Sequence, residues 1–277
     1  MNSYVLISGA TGGLGSAMVT EFARRGYNLL LTDNRDDVVG FADYIGKNFT
    51  IEARGITCDL TSQQARTDLI NALKIEGIRF RGLVNVAGLD YEGAFLDRTR
   101  DQVLRLIHLN IESAVDLTHE VINLRDPETR FMLVNVCSLA AATPMPYKAV
   151  YAATKRFLLD LSLSLREEIK EFGTVTALCP AGMPTTVDNM EGIFAQGFWG
   201  AVTTVDTRTV ARLTVDAAEK GKAVVVPGWL NRAIYTLSRM LPASLTANIA
   251  GSRWRAAQQV NDPWKEYIKS NQKFQHA

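Results

Sequence analysis

The sequence is poor in the residues that build disulfide scaffolds and metal centres. Its 277 residues include only three cysteines and three histidines. Cys58, Cys137 and Cys179 lie far apart, each beside an apolar, strand-like run. They read as buried free thiols, and a reducing, cytoplasmic setting is expected. His108, His119 and His276 share no ligand spacing with cysteines or carboxylates, so no metal site is expected. Charge of one sign is lacking too. Thirty Lys and Arg against 29 Asp and Glu leave a formal net charge of +1, which gives no reason to expect a nucleic-acid partner. No apolar run approaches the roughly 20 residues of a membrane-spanning helix. The apolar stretch behind Met1 breaks at Gly9, so no signal peptide is expected either. Repeats, low-complexity tracts and linkers are absent, and a single domain over residues 1–277 is expected.

What is present is alternation. Apolar strand-like runs near residues 4–8, 28–32, 51–57, 82–86, 131–137, 174–178 and 223–226 alternate with helical segments near 13–25, 37–47, 62–76, 101–125, 148–171 and 207–219. That order predicts an α/β fold, a single Rossmann-type, doubly wound parallel sheet with helices on both faces. Ligands in such sheets bind outside the carboxyl ends of the strands.

The first strand runs into Gly9-Ala10-Thr11-Gly12-Gly13-Leu14-Gly15, and a helix follows. Strand, glycine loop and helix form the context of a phosphate-binding turn. Gly9 permits the tight turn, Gly13 lets backbone amides approach a pyrophosphate, and Gly15 allows helix and strand to pack closely. The helix start then favours the anion. Gly9, Thr11, Gly13, Leu14 and Gly15 are therefore the predicted nucleotide contacts here. Asp33 ends the second strand, where a carboxylate accepts hydrogen bonds from a ribose diol and repels a 2′-phosphate. NAD is favoured over NADP on this ground, although Arg35 nearby could receive a phosphate.

Tyr151 and Lys155 stand four residues apart in Tyr-Ala-Ala-Thr-Lys, and Ser138 lies upstream. On a helix, residues at i and i+4 share a face. A phenol titrates near pH 10 when unperturbed, and a cation beside it is expected to bring that value toward working pH.

Taken together, these segments resemble the short-chain dehydrogenase/reductase family over roughly residues 4–186. The glycine spacing is that family's, with Ser8 in place of its Thr. Asp59-Leu60 resembles the segment that meets the adenine. Asn85-Val86-Ala87-Gly88 resembles Asn-Asn-Ala-Gly on the fourth strand, with Val in place of the second Asn. Asn110, Ser138, Tyr151 and Lys155 match the catalytic tetrad in order and spacing. The resemblance implies cofactor contacts at Asp59, Leu60, Asn85, Ala87, Gly88, Tyr151 and Lys155. It also implies contacts at Pro180 and Thr185, although the Gly of that loop, Gly182, is displaced by one position. By the same resemblance Tyr151 is the acid/base, Ser138 holds the carbonyl oxygen, Lys155 serves the phenolate and the nicotinamide ribose, and Asn110 holds a water that links Lys155 to solvent. An NAD(P)-dependent interconversion of a secondary alcohol and a ketone is expected, as is a homodimer or homotetramer. The competing reading is a non-catalytic nucleotide-binding regulatory or scaffold protein.

Two segments lie outside these motifs. Residues 183–206 lack periodicity, carry aromatics, and read as a lid over an apolar substrate. Residues 229–257 form an amphipathic extension whose stripe is Trp229, Leu230, Ala233, Ile234, Leu237, Met240 and Leu241, with Arg232 and Arg239 alongside. Burial against the same protein or a sister subunit is the expectation. Membrane-surface binding and roofing of the substrate pocket are the alternatives.

Overall fold

Strand β1 (Ser3–Ser8) is followed by β2 (Asn28–Asp33), β3 (Ala53–Thr57), β4 (Arg79–Asn85), β5 (Phe131–Val136), β6 (Gly173–Leu178) and β7 (Val224–Val225). All pair in parallel, in the order β3-β2-β1-β4-β5-β6-β7. The order reverses between β1 and β4, and that reversal opens a crevice at the strand ends. The coordinates are a computed structural model, and they describe residues 3–183 and 202–259.

The inner strands are apolar on both faces, as parallel strands covered by helices must be. Val5, Ile7, Leu29, Leu31, Val84 and Val134 meet helices α1 (Gly13–Arg24), α2 (Asp37–Phe49) and α7 (Thr207–Glu219) on one side. Leu6, Leu30, Leu83, Leu133 and Val175 meet α3 (Gln63–Ile75) and α5 (Ser113–Asn123) on the other. Helix α6 (Ala149–Glu168) completes that second layer through Leu158 and Leu159.

Where one long helix over 101–125 is expected, there are two helices joined by a wider turn. α4 (Arg100–Ile107) passes into a π-turn (His108–Glu112) and then into α5. Wider turns of this kind occur often at functional sites. Here the turn carries Asn110 into the interior.

The C-terminal stripe also departs from expectation. Pro242 divides it into α8 (Trp229–Met240) and α9 (Ala243–Gln259). Asn231 and Tyr235 face inward from α8, whereas Trp229, Leu237 and Met240 face outward. Burial of the stripe against its own chain is thereby corrected. The inner face of α8 instead uses Asn231, whose Nδ2 donates to the carbonyls of Thr203 and Pro227, both at 2.8 Å.

Candidate active site

The glycine turn is shaped by contacts that leave no room for side chains. Gly9 sits at φ +65°, and a Cβ there would lie 2.8 Å from Ala87 backbone atoms. A Cβ on Gly15 would lie 1.9 Å from the Gly9 carbonyl oxygen, so α1 can start this close to β1 only with glycine. Ser8 ties the ends of β1 and β4 together, its Oγ accepting the Val86 and Ala87 amides at 3.2 and 3.3 Å. Gly12 precedes α1 without a side-chain cap, so the first-turn amides stay available to an anion.

Asp33 reaches back to the same turn. Its Oδ2 accepts the Thr11 amide at 3.0 Å, which puts a buried carboxylate beside the glycine loop. Arg35 pairs with Asp37 on the surface. Asp59 accepts the Thr61 amide (2.9 Å) and hydroxyl (2.7 Å). The Thr61 hydroxyl bond in particular holds its carboxyl below the usual range. Leu60 is buried, and its carbonyl accepts a bond of 2.7 Å from Arg66.

A dinucleotide fits this end of the cleft. The Thr11 hydroxyl is buried without a partner, the Gly15 approach leaves backbone where a phosphate needs it, and Asp33 offers acceptors for a diol.

Asn85, which the resemblance implies as a nucleotide contact, is tied into the sheet through its amide nitrogen. Its Nδ2 donates to Thr118 Oγ1 (3.0 Å) and Asn135 Oδ1 (2.8 Å), and Asn135 passes a bond of 2.9 Å to Ser162. This buried relay fastens β4 and β5 to α5 and α6. It holds the catalytic end of the sheet in register and leaves the buried Asn85 Oδ1 without a partner.

Asn110 is also buried and fully used. Its Oδ1 accepts the Leu89 amide at 2.8 Å, and its Nδ2 donates to the Leu89 carbonyl (2.9 Å) and to Thr154 Oγ1 (3.1 Å). The π-turn is thus pinned to the loop after β4 and to α6. Gly88 lies between the two polar groups: a Cβ there would be 3.2 Å from both Asn110 Oδ1 and Lys155 Nζ. The Lys155 ammonium donates to the Val136 carbonyl at 2.8 Å, and burial lowers its pKa.

Ser138 follows β5 and has two roles. Its Oγ accepts the Ala140 amide at 3.1 Å, capping a short turn (Leu139–Ala142). It also stands by Tyr151, where it favours the phenolate. The balance at Tyr151 nevertheless runs upward, and this corrects the expectation from spacing alone. Burial pushes the phenol up to about 12, the Asp90 charge adds to that, and Ser138 and Lys148 oppose it. Two cations flank the ring, the Lys148 and Lys155 Nζ atoms each lying 5.8 Å from its centroid, and Lys148 also bridges Asp90 (2.6 Å) and Glu92 (3.0 Å).

Asp90 and Lys148 were not legible as a pair, being 58 positions apart. The available signal was the acidic run Asp90-Tyr91-Glu92 directly behind the Asn85–Gly88 segment. Pro180 lies buried just past the end of β6, its carbonyl accepting the Leu139 amide at 2.8 Å. Thr185, with the rest of residues 184–201 of the expected 183–206 lid, lies outside the described residues. Cys137 and Cys179 are buried free thiols, and the Cys179 thiol together with burial pushes the Cys137 thiol well up. Among the described residues no cluster of His, Cys, Asp and Glu could hold a metal ion.

The profile described as short chain dehydrogenase matches residues 3–192. The chain belongs to the short-chain dehydrogenase family. As a member, this dehydrogenase is an oxidoreductase of Rossmann type. It is 28% identical over 182 residues to the very-long-chain 3-oxoacyl-CoA reductase of Bos taurus, a match covering 63% of this chain and 57% of that protein. The Homo sapiens protein of the same name is 28% identical over 180 residues, covering 62% and 56%. The dehydrogenase thus aligns with little more than half the length of these relatives. Among solved structures it resembles a short-chain dehydrogenase from Sphingobium yanoikuyae in complex with NADPH (TM-score 0.72, 24% identity, 94% of this chain and 97% of that one). It also resembles the bulky-bulky ketone specific alcohol dehydrogenase from Comamonas testosteroni (TM-score 0.69, 22% identity, 95% and 97%). At these identities the likeness concerns the fold.

Proposed function

We propose that this dehydrogenase interconverts an apolar ketone and its secondary alcohol, with Tyr151 as the acid/base and NAD preferred over NADP. The observation that carries the reading is the convergence of Ser138 and Lys155 on Tyr151 at the carboxyl end of β5, where Lys155 Nζ lies 5.8 Å from the phenol ring centroid and the Ser138 hydroxyl draws the phenol toward its ionised form. Two hydroxyls meeting there can serve one carbonyl oxygen.

When bound, a reduced nicotinamide supplies a hydride to the carbonyl carbon. The chain's own groups handle the oxygen. Ser138 donates a hydrogen bond to it, an interaction that strengthens as negative charge grows. Tyr151 delivers its proton to the alkoxide. A phenol pushed up to about 12 is protonated at neutral pH, which is the form needed for reduction. The buried Lys155 stands across Gly88 from Asn110, where its charge can offset the phenolate left behind.

Asp33 supports the NAD preference, because a buried carboxylate beside the glycine turn repels a 2′-phosphate. The pairing of Arg35 with Asp37 takes away a ready phosphate partner. The apolar substrate class draws support from relatives named for very-long-chain 3-oxoacyl-CoA and bulky ketones.

The test is a ketone and alcohol panel run with both nicotinamide forms, following absorbance of the reduced ring. Turnover of an apolar ketone with NADH is expected. Binding of NADH without turnover of any carbonyl would favour a nucleotide-binding scaffold instead.

A further inference from the structure

We propose that α8 and α9 present a lipid-binding face that seats the protein on bilayers carrying anionic headgroups. Trp229, Met240 and Leu237 are 75%, 77% and 61% exposed, and Leu241, Leu245 and Ile249 beyond them are exposed too. This is one face and not scattered residues. At about 100° per residue, Trp229, Ala233, Leu237 and Met240 fall on a single side of α8, opposite the buried Asn231 and Tyr235. Leu245 and Ile249, four apart, do the same on α9, whose inner side is Thr246, Gly251 and the Trp254 ring against Tyr147. Exposed apolar sides of this kind on two successive helices mark an interaction site.

The charges around it select the occupant. Residues 229–259 hold four arginines, Arg232, Arg239, Arg253 and Arg255, and no Asp, Glu or Lys, within a chain whose formal net charge is only +1. Arg232 and Arg239 flank the apolar side of α8, and all four arginines are exposed. A second copy of the chain docking on the same patch would set these arginines against their own counterparts, because an isologous contact repeats the surface on both sides. An anionic bilayer satisfies both features, taking the apolar side chains into the acyl boundary while phosphates meet the guanidinium groups. No described helix is long and apolar enough to cross a membrane, so the contact is interfacial. This proposal does not depend on the catalytic reading.

Sedimentation of the full chain with vesicles of phosphatidylcholine alone, or of phosphatidylcholine mixed with phosphatidylglycerol, tests it. Partitioning at least about tenfold stronger onto the mixed vesicles is expected, with release at about 1 M sodium chloride, where screening is nearly complete. Leu237→Gln with Met240→Gln, and separately Arg232→Gln with Arg253→Gln, should each lower partitioning about tenfold while circular dichroism and NADH binding stay unchanged. Absence of binding, equal binding to both vesicle types, or wild-type binding by both double variants would overturn the proposal. So would loss, in the Leu237/Met240 variant, of a concentration-dependent dimer in a protein that ignores vesicles, since the face would then be a subunit contact.

Discussion

The indole of Trp254 stacks on the ring of Tyr147, with centroids 4.6 Å apart and planes 18° from parallel. Tyr147 holds a left-handed backbone at φ +67°, and its carbonyl accepts the Gly93 amide at 2.8 Å. The last described helix is thereby fastened to the turn that leads into α6, four residues before Tyr151. Stacked pairs contribute about 0.5–1.5 kcal/mol beyond their burial, enough to offset part of the strain at Tyr147. Trp254→Ala is expected to lower kcat/KM for an apolar ketone on the order of tenfold by loosening that approach. A steady-state comparison with the unaltered protein checks it, and an unchanged kcat/KM would detach the stack from the site.

Tyr151→Phe removes the proton but keeps the ring. Turnover should fall by about two orders of magnitude or more, whereas NADH affinity, measured by fluorescence titration, should hold. Near-normal turnover would exclude Tyr151 from the chemistry.

The pH profile follows from the groups around the phenol. Reduction needs Tyr151 protonated, so with a pKa of about 12 its rate should stay flat through neutral and mildly alkaline pH. Oxidation needs the phenolate and should rise with pH over the same range. Lys148→Gln removes a group that pulls the pKa down and leaves Asp90 unopposed, so the oxidation limb should move to higher pH. Asp90→Asn should move it lower. Profiles for the two variants that shift in the same direction would contradict this electrostatic assignment.

Asp33→Ala deletes the carboxylate that would repel a 2′-phosphate, and the Thr11 amide loses its acceptor. The ratio of kcat/KM with NADH to that with NADPH is expected to drop about tenfold, equivalent to about 1.4 kcal/mol. A ratio that does not move would place nucleotide choice elsewhere.

Asn110→Ala leaves both the amide and the carbonyl of Leu89 without their side-chain partner. Unsatisfied buried polar groups cost about 1–3 kcal/mol each, so the denaturation midpoint should fall clearly. Asn110→Asp, which keeps the acceptor for the Leu89 amide, should fall less.

The sheet was legible because its strands are short apolar runs and its helices obey a 3.6-residue period. Six of the seven strand positions agree with the expected ones to within a few residues, and β7 is a two-residue core of the expected 223–226. The glycine turn was legible for a different reason: steric exclusion at Gly9 and Gly15 leaves a mark in residue type. Groups that act through space left none. Nothing in one sequence pairs Asp90 with Lys148, or says that Lys148 joins Lys155 beside the phenol. Burial likewise escaped the i, i+4 argument. It placed Tyr151 and Lys155 on one helix face but could not weigh desolvation, which raises the phenol and lowers the amine. Asn85 shows the same limit, its motif being readable and its partners Thr118 and Asn135 not.

The widened turn at His108–Glu112 inserts one more residue between α4 and α5 than a regular helix would allow. Because the extra residue is taken up inside the turn, α4 and α5 keep the phase of one continuous helix, and Thr118 stays on the Asn85–Asn135 chain while Glu112 and Asp116 stay on Arg66. A deletion within the turn would close it to a regular helix and cost the inward placement of Asn110. A deletion inside α5 ahead of Thr118 would rotate everything downstream by about 100° and should be far less forgiving.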